Sequence, residues 1–324
     1  MKSRSRMAKI SIIIPCYNAQ GYICKCLDAL MNQMYKDFDV ILVNDCSNDD
    51  TLRVASEWVL RHRLKVKITT NEKNSGPSLS RYNGAKLSQS KWISFCDSDD
   101  WYEPEFLQKM VAKAENDHCE VVFCGYRNVI GNRLDNHPLG DKELIMSPKD
   151  AMYMDVDSLC MTLVRRDIYI QTPQPDIPNG EDMALVPLLI QGANKVGVLN
   201  DVLYNYYIRL GSASLNPSDT MIDSLLKSFN HINQNLNNCY YSEKEFLGIR
   251  NMIYGCILNL FKYSYNTKRA ELIIKEFEKD YPKWSSNYMI SRLPLFKRVF
   301  VKCAAKRYFL IMLLISRFHS FLLK

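Results

Sequence analysis

Three carboxylates crowd into four residues at Asp97-Ser98-Asp99-Asp100. The apolar run Trp92-Ile93-Ser94-Phe95-Cys96 ahead of them has the length of a strand. Glu103-Pro104 behind them predicts a helix start, since Pro tolerates the first helical position. The acids therefore stand at the carboxyl end of a strand, the side of an open α/β sheet on which ligands bind. Side chains at i and i+2 of an extended segment point the same way. Asp97 and Asp99 can thus share a divalent cation, or divide between a cation and a sugar hydroxyl. A solvated turn is the competing reading, because Asp and Ser favour turns in any case.

A second acidic pair, Glu181-Asp182, follows Asn179-Gly180 and opens the apolar run Ala184 to Ile190. Acids in a first helical turn are stabilised by the helix dipole, so a plain helix start accounts for them without any function. Arg209 comes after the aromatic segment Tyr204-Asn205-Tyr206-Tyr207 and either pairs with a phosphate or lies on the surface.

The elements that must position these groups read as alternating strands and helices. Lys9 to Ile14 is a β-branched buried strand stopped by Pro15. A helix is expected over about 21–34, a strand over 39–43, a helix over 52–60, a strand over 66–70, and a helix over 78–87. The acidic strand is next, then a helix over 104–116 and a strand over 120–126. This order predicts a Rossmann-like, mostly parallel α/β sheet with helices on both faces. Right-handed crossovers gather the polar loops on one rim. The segment 128–147 reads as a loop or hairpin connection, and 196–203 as a further strand.

Nucleotide binding is the natural inference, yet the usual glycine signatures are missing. None of the twelve Gly residues forms GxG and none precedes a Lys, so there is neither a dinucleotide fingerprint nor a P-loop. A bound diphosphate then needs a cation in place of a glycine cradle, and Asp99 is the available holder.

Four segments in order, Ile12-Ile13-Ile14-Pro15-Cys16-Tyr17-Asn18, Val43-Asn44-Asp45-Cys46-Ser47-Asn48-Asp49, Asn74-Ser75-Gly76 with Ser80-Arg81-Tyr82-Asn83-Gly84, and Phe95-Cys96-Asp97-Ser98-Asp99-Asp100, together resemble the family 2 glycosyltransferases of GT-A fold. The resemblance covers about the first 215 residues. It implies that Asp45 contacts the base of a nucleotide sugar, Asp97 the ribose, with Ser98 also in the nucleotide-sugar site, and Asp99 with Asp97 a Mn²⁺ or Mg²⁺ that bridges the diphosphate. It further implies that Pro15, Tyr17 and Asn18 line the nucleotide pocket, that Arg81 lies close to the base or phosphates, and that Arg209 borders the diphosphate. In the family a Glu-Asp pair preceded by Gly supplies the catalytic base, which here points to Asp182 with Glu181 orienting it or the acceptor. The sequence departs from the common pattern at Asn44, at Cys46 where Gly is common, and at Tyr82 where Asn is common. The expected activity is inverting, metal-dependent transfer of a sugar, with a UDP-sugar favoured, to a hydroxyl of a glycan or lipid-linked glycan.

Composition constrains the partners. Eight of the 42 basic residues lie between Arg292 and Lys324 with no acid among them, so the remaining 34 face 35 acids and the body of the chain is near neutral. Nucleic acid is not expected as a partner. Arg298, Lys302 and Lys306 recur at i+4 beside Val299, Phe300, Val301, Phe309, Leu310, Leu313 and Leu314. This combination suits an anionic membrane surface, with packing on the catalytic domain or a dimer contact as alternatives. The eleven Cys are scattered and form no paired CxxC set, and no apolar run reaches spanning length. A cytoplasmic protein, peripheral on the membrane, is expected. The domain reading is a catalytic domain over 8–216, a helical region over 217–291 and a basic amphipathic tail over 292–324. Oligomeric state has no signal in the sequence. A glycoside hydrolase, a nucleotidyltransferase and a catalytically inactive GT-A-like scaffold are the competing readings; the first needs no nucleotide site, the second lacks a basic Gly-rich loop, and the third is disfavoured by four intact Asp positions.

Overall fold

The computed structural model describes residues 7–177, 180–209 and 218–322. The chain forms two units, one of Met1–Pro178 with Leu188–Leu210 and one of Asn179–Pro187 with Gly211–Lys324.

The first unit carries the sheet. Its elements in order are β1 (Ile10–Cys16), α1 (Ile23–Met31), β2 (Phe38–Asn44), α2 (Thr51–Arg61), β3 (Val66–Thr70), α3 (Gly76–Leu87), β4 (Trp92–Phe95), β5 (Trp101–Tyr102), α4 (Phe106–Asn116), β6 (Val121–Ile130), β7 (Arg133–His137), β8 (Leu144–Met146), α5 (Pro148–Ala151), β9 (Thr162–Arg165) and α6 (Arg166–Gln171). The helix α7 (Glu181–Gln191) and the strand β10 (Val196–Tyr207) follow. All seven residues of β1 are buried, as a continuous β-branched run demands of a strand covered on both faces.

The strand order is β3-β2-β1-β4-β9-β6-β10-β5, with β7 beside β6 and β8 beside β10. Parallel pairing joins β1 to β2 and β4, β2 to β3, and β6 to β10. The sheet is mixed, however, since β9 runs antiparallel between β4 and β6, and β5, β7 and β8 are antiparallel to their neighbours. Strand-helix alternation predicts parallel neighbours only. Antiparallel strands need no crossover helix, so β5, β7, β8 and β9 leave no such pattern. The segment 128–147 is the hairpin β6–β7 followed by β8. The expected helix start at Pro104 also shifts: Glu105 is the N-cap and α4 begins at Phe106, because Trp101–Tyr102 is first drawn into pairing with β10.

Packing of α3 on the sheet depends on Gly84, where a Cβ would lie 2.5 Å from Ile13 Cγ2 and 3.0 Å from Val43 Cγ2. The helix that carries Arg81 can approach β1 and β2 only because position 84 has no side chain.

The second unit is helical: α8 (Asp219–Asn235), α9 (Tyr241–Gly248), a π-helical stretch Ile249–Cys256, α10 (Ile257–Tyr263), α11 (Thr267–Asp280), α12 (Leu295–Ala305) and α13 (Phe309–Leu322). Side chains of Ser218 and Asn266 cap α8 and α11 through Met221 N–H and Arg269 N–H. Phe229, Phe277 and Tyr281 form an aromatic cluster in its core. The tail departs from expectation here. Phe300 and Val301 are buried rather than presented outward, and Arg307 is spent on Glu271 and Glu278 at 3.0 and 2.7 Å. Leu295, Phe296, Val299, Leu310, Ile311, Leu314 and Phe318 remain exposed. Among the described residues no helix is long and apolar enough to cross a membrane.

Candidate active site

The acidic turn is fastened at both ends. Asp100 N–H donates to Asp97 O at 3.1 Å, and Tyr102 Oη donates back to Phe95 O at 2.5 Å while meeting Ser94 Oγ at 3.0 Å. The short β5 is thereby tied to the end of β4, and the 97–100 turn is held at the sheet rim.

Two guanidinium groups face the acids. Arg81, 3% exposed, reaches Asp97 Oδ1 through Nη2 at 2.7 Å, and Arg209 Nη2 lies 3.0 Å from Asp99 Oδ2. Burial pushes the Asp99 carboxyl above the usual carboxylate range, Asp97 adds to that, and Arg209 pulls the other way. Asp100 is 1% exposed. Burial, followed by Asp97 and Asp99, drives its carboxyl well upward, against the hydrogen bonds it accepts from Tyr204 Oη and from Tyr207 N–H at 2.7 Å.

The loops after β1 and β2 interlock beside this turn. Asp45 is buried and accepts from Asn71 Nδ2 at 2.8 Å, Ser75 N–H at 2.9 Å and Gly76 N–H at 2.8 Å. It shapes the loop ahead of α3, where Gly76 has φ +80°. Cys46 has φ +56°, the left-handed region, and its thiol donates to Asn71 O at 2.9 Å. A Gly preference at this position therefore has a backbone cause. Asn18, also left-handed at φ +50°, receives Asn48 N–H on Oδ1 at 2.9 Å, and its own N–H donates to Ser47 Oγ at 3.1 Å. Pro15 is buried in β1, opposite Val43 of β2, whereas Tyr17 is exposed and Ser98 half-buried.

An aromatic wall adjoins Arg209. Its guanidinium carbon lies 5.2 Å from the Tyr22 ring centre, and Lys25 Nζ sits 3.2 Å over the Trp101 ring and 5.6 Å from Tyr207. Burial lowers the Lys25 ammonium, with Asp100 opposing. Sequence reasoning missed Tyr22 and Lys25 as neighbours of the acids; Trp101, next to Asp100 in the chain, and the aromatic segment around Tyr207 were the local signals of an aromatic wall.

Glu181 and Asp182 occupy the first turn of α7, in the second unit, with Glu181 buried and Asp182 half-buried. Gly180 just before them has φ +82°, and its carbonyl accepts from Ser228 Oγ at 2.8 Å. The conformation explains the glycine ahead of the acidic pair. Asn179, which precedes Gly180 and the acidic pair, lies outside the described residues, as does the segment 210–217 after Arg209.

The donor set at the acidic turn is all oxygen, which suits Mg²⁺ or Mn²⁺. Burial and the neighbouring Asp97 disfavour the charged form of Asp99, and a bound cation would favour it. Among the described residues no three acidic, His or Cys side chains converge on one point. One or two carboxylates with water and phosphate oxygens completing the shell is the way Mg²⁺ is commonly held.

Comparison with known proteins adds the remaining link. Residues 11–172 match glycosyl transferase family 2. The chain is 27% identical over 224 residues to the poly(ribitol-phosphate) beta-N-acetylglucosaminyltransferase TarS of Staphylococcus aureus, covering 66% of this chain and 39% of TarS. It is 25% identical over 271 residues to an uncharacterized glycosyltransferase of Haemophilus influenzae, covering 80% of this chain and 96% of that protein. The chain thus spans about two-fifths of the length of TarS. Residues 1–349 of S. aureus TarS in complex with UDP share the fold at a TM-score of 0.70 and 19% identity, with 95% of this chain and 90% of that one covered. The Pyrobaculum calidifontis mannosyltransferase PcManGT, in complex with GDP-Man and Mn²⁺, does so at 0.58 and 13%, with 97% and 88% covered. The motif loops at the sheet rim, the mixed sheet and the family match over half of the sequence agree: the chain belongs to glycosyl transferase family 2 and has the GT-A fold.

Proposed function

We propose that this chain transfers a sugar from a nucleotide diphosphate donor, a UDP-sugar, to a hydroxyl of a cell-surface glycan or its lipid-linked precursor, with inversion at the anomeric carbon. The observation that carries the reading is the Asp97–Asp99 pair at the carboxyl end of β4, set against the guanidinium groups of Arg81 and Arg209. The UDP and UDP-GlcNAc complexes of TarS favour uridine, and its name favours a polyol-phosphate or related wall glycan as acceptor.

Asp99, with Asp97, would hold Mn²⁺ or Mg²⁺, which supplies Lewis-acid stabilisation of the departing diphosphate. Arg209 exchanges its carboxylate partner for a phosphate oxygen as negative charge develops on the leaving group. Asp182 accepts the proton of the acceptor hydroxyl, a poor nucleophile at neutral pH, and Glu181 orients it. Displacement in a single step inverts the configuration. Asp45 keeps the 71–76 loop in shape beside the base while Pro15, Tyr17, Asn18 and Ser98 line the nucleotide.

The exposed apolar residues of α12 and α13, together with the exposed Lys302, Lys306 and Arg317, suit the cytoplasmic face of an anionic membrane. Calorimetric titration with UDP-, GDP- and dTDP-sugars, with Mn²⁺ or chelator, tests the donor reading. Metal-dependent binding of one nucleotide class, about tenfold weaker in Asp99→Asn, supports it. No binding under any metal condition returns the chain to the scaffold reading.

A further inference from the structure

The third acid of the turn has no place in the chemistry above, and its surroundings assign it a different task. Asp100 is almost wholly buried, so it does not meet a substrate. Its two oxygens are taken by β10: one by Tyr204 Oη, the other by Tyr207 N–H at 2.7 Å. The residues that follow it extend the same contact, since Trp101 and Tyr102 pair with Asn205 and Tyr204, and Glu103 N–H donates to Leu203 O at 2.9 Å. Two residues past Tyr207 the strand delivers Arg209 to Asp99.

Successive side chains of an extended segment alternate in direction, and a slip of one residue turns each to the opposite face. Tyr207 and Arg209, two apart, point alike: Tyr207 lies 6.2 Å from the Tyr22 ring, and Arg209 packs over that same ring at 5.2 Å. The pairing of β10 with β6 already shifts register twice, between Val198 and Val202 and between Val202 and Tyr204. The ladder with β6 alone is therefore irregular just upstream of the residues that matter. After those shifts Tyr204 to Tyr207 pair in regular register with Tyr126 to Val129 of β6, and a carboxylate that grips Tyr204 and Tyr207 together ties that stretch, from its other edge, to the acidic turn.

We propose that Asp100 is a positioning residue that acts through Arg209: it fixes the end of β10 so that the Arg209 guanidinium faces the Asp99 side of the donor diphosphate site. The proposal rests on the donor-site reading. It deepens that reading by naming the residue that sets Arg209's direction. A buried acid beside two others is costly to keep, and an apolar residue would pack at that position, but no apolar residue joins a backbone N–H and a tyrosine hydroxyl of one strand to the neighbouring acidic turn.

A double-mutant cycle on UDP affinity in the presence of Mn²⁺ tests it, read by calorimetry on the full chain. Arg209→Ala is expected to weaken UDP binding about tenfold, as loss of one charge-assisted contact does, and Asp100→Ala by a similar factor. The double variant should bind no more than about twofold more weakly than Arg209→Ala alone, because the second change removes only what the first has already lost. Asp100→Asn, which keeps an oxygen acceptor for Tyr207 N–H, should recover most of the affinity. Losses that multiply to about a hundredfold in the double variant, or a folded Asp100→Ala with wild-type affinity, overturn the proposal. Should Asp100→Ala not fold, Tyr204→Phe takes its place in the cycle, with a loss of about threefold expected and none in the Arg209→Ala background. Absence of UDP, GDP and dTDP binding by the wild-type chain is a separate result and strikes the donor-site reading itself.

Discussion

Arg81 Nη2 lies 2.7 Å from Asp97 Oδ1, with the guanidinium 3% and the carboxylate 33% exposed. The arginine is committed inside the protein, as the post that holds the outer acid of the turn. Its removal leaves Asp97 near a second carboxylate without its partner. Arg81→Ala is expected to cost about 2 kcal/mol of stability, below the range for a fully buried pair because Asp97 is partly solvated. Urea denaturation of the variant measures this, and a change under about 0.5 kcal/mol would contradict it.

Gly84 sets how closely α3 lies on β1 and β2. A methyl group there meets Ile13 Cγ2 at 2.5 Å and Val43 Cγ2 at 3.0 Å, both in a buried layer. Gly84→Ala should therefore destabilise the chain by about 2 kcal/mol through overpacking, against the usual gain from Gly to Ala in a helix. A rise in the denaturation midpoint would show that the helix shifts freely.

Asp45 accepts three hydrogen bonds from the 71–76 segment. Asp45→Asn sets an amide N–H₂ against an N–H donor, and a stability loss of about 1–3 kcal/mol is expected. Amide hydrogen exchange at Ser75 and Gly76 should accelerate. Unchanged exchange there would mean that the loop is held by other contacts.

Glu120 gives a pH dependence of definite sign. Burial raises its carboxyl, but hydrogen bonds from Asn194 Nδ2 at 2.9 Å and from Asn194 and Lys195 N–H at 3.0 Å, with Arg165 nearby, outweigh that and place it below the ordinary glutamate range. A depressed carboxylate adds stability above its unfolded pKa of about 4.3 and loses it as pH falls through the folded value. The destabilisation caused by Glu120→Gln should accordingly be larger at pH 7 than at pH 4. Equal losses at both pH values would assign the effect to packing.

The exposed stripe of α13 is the test of membrane contact. Leu310→Asp with Leu314→Asp should abolish cosedimentation with vesicles of anionic lipid. Lys302→Glu with Lys306→Glu should weaken it by about 1 kcal/mol per charge or more, in a salt-sensitive way. Arg307→Ala is expected to lower stability instead, since that side chain is engaged by Glu271 and Glu278. Equal binding to neutral vesicles by all variants would remove the electrostatic part of the reading.

Apart from β5, the order of elements through β6 and the polar loops at the strand ends were determined by the sequence, because each depends on short-range patterns. Val66 to Thr70 carries its strand in five consecutive residues, the Gly180 turn requires a residue without a side chain, and the apolar run before Asp97-Ser98-Asp99-Asp100 sets those acids at the end of β4, where they form a turn rather than a continuation of the strand. What only the tertiary structure decided are the partnerships across long separations. Arg81 and Arg209 are both single basic residues near a motif, and nothing local says that one is buried against Asp97 while the other reaches Asp99 from the far end of β10. Asp100 looks like a third turn acid until Tyr204 and Tyr207, more than a hundred residues away, close on it. The antiparallel β9 has no crossover to announce it. Phe300 and Val301 read as surface beside a cationic stripe, and packing within the helical unit buried them. Local pattern specifies what a segment prefers to be, while the choice of partner rests on burial and charge that the chain assembles only when distant segments meet.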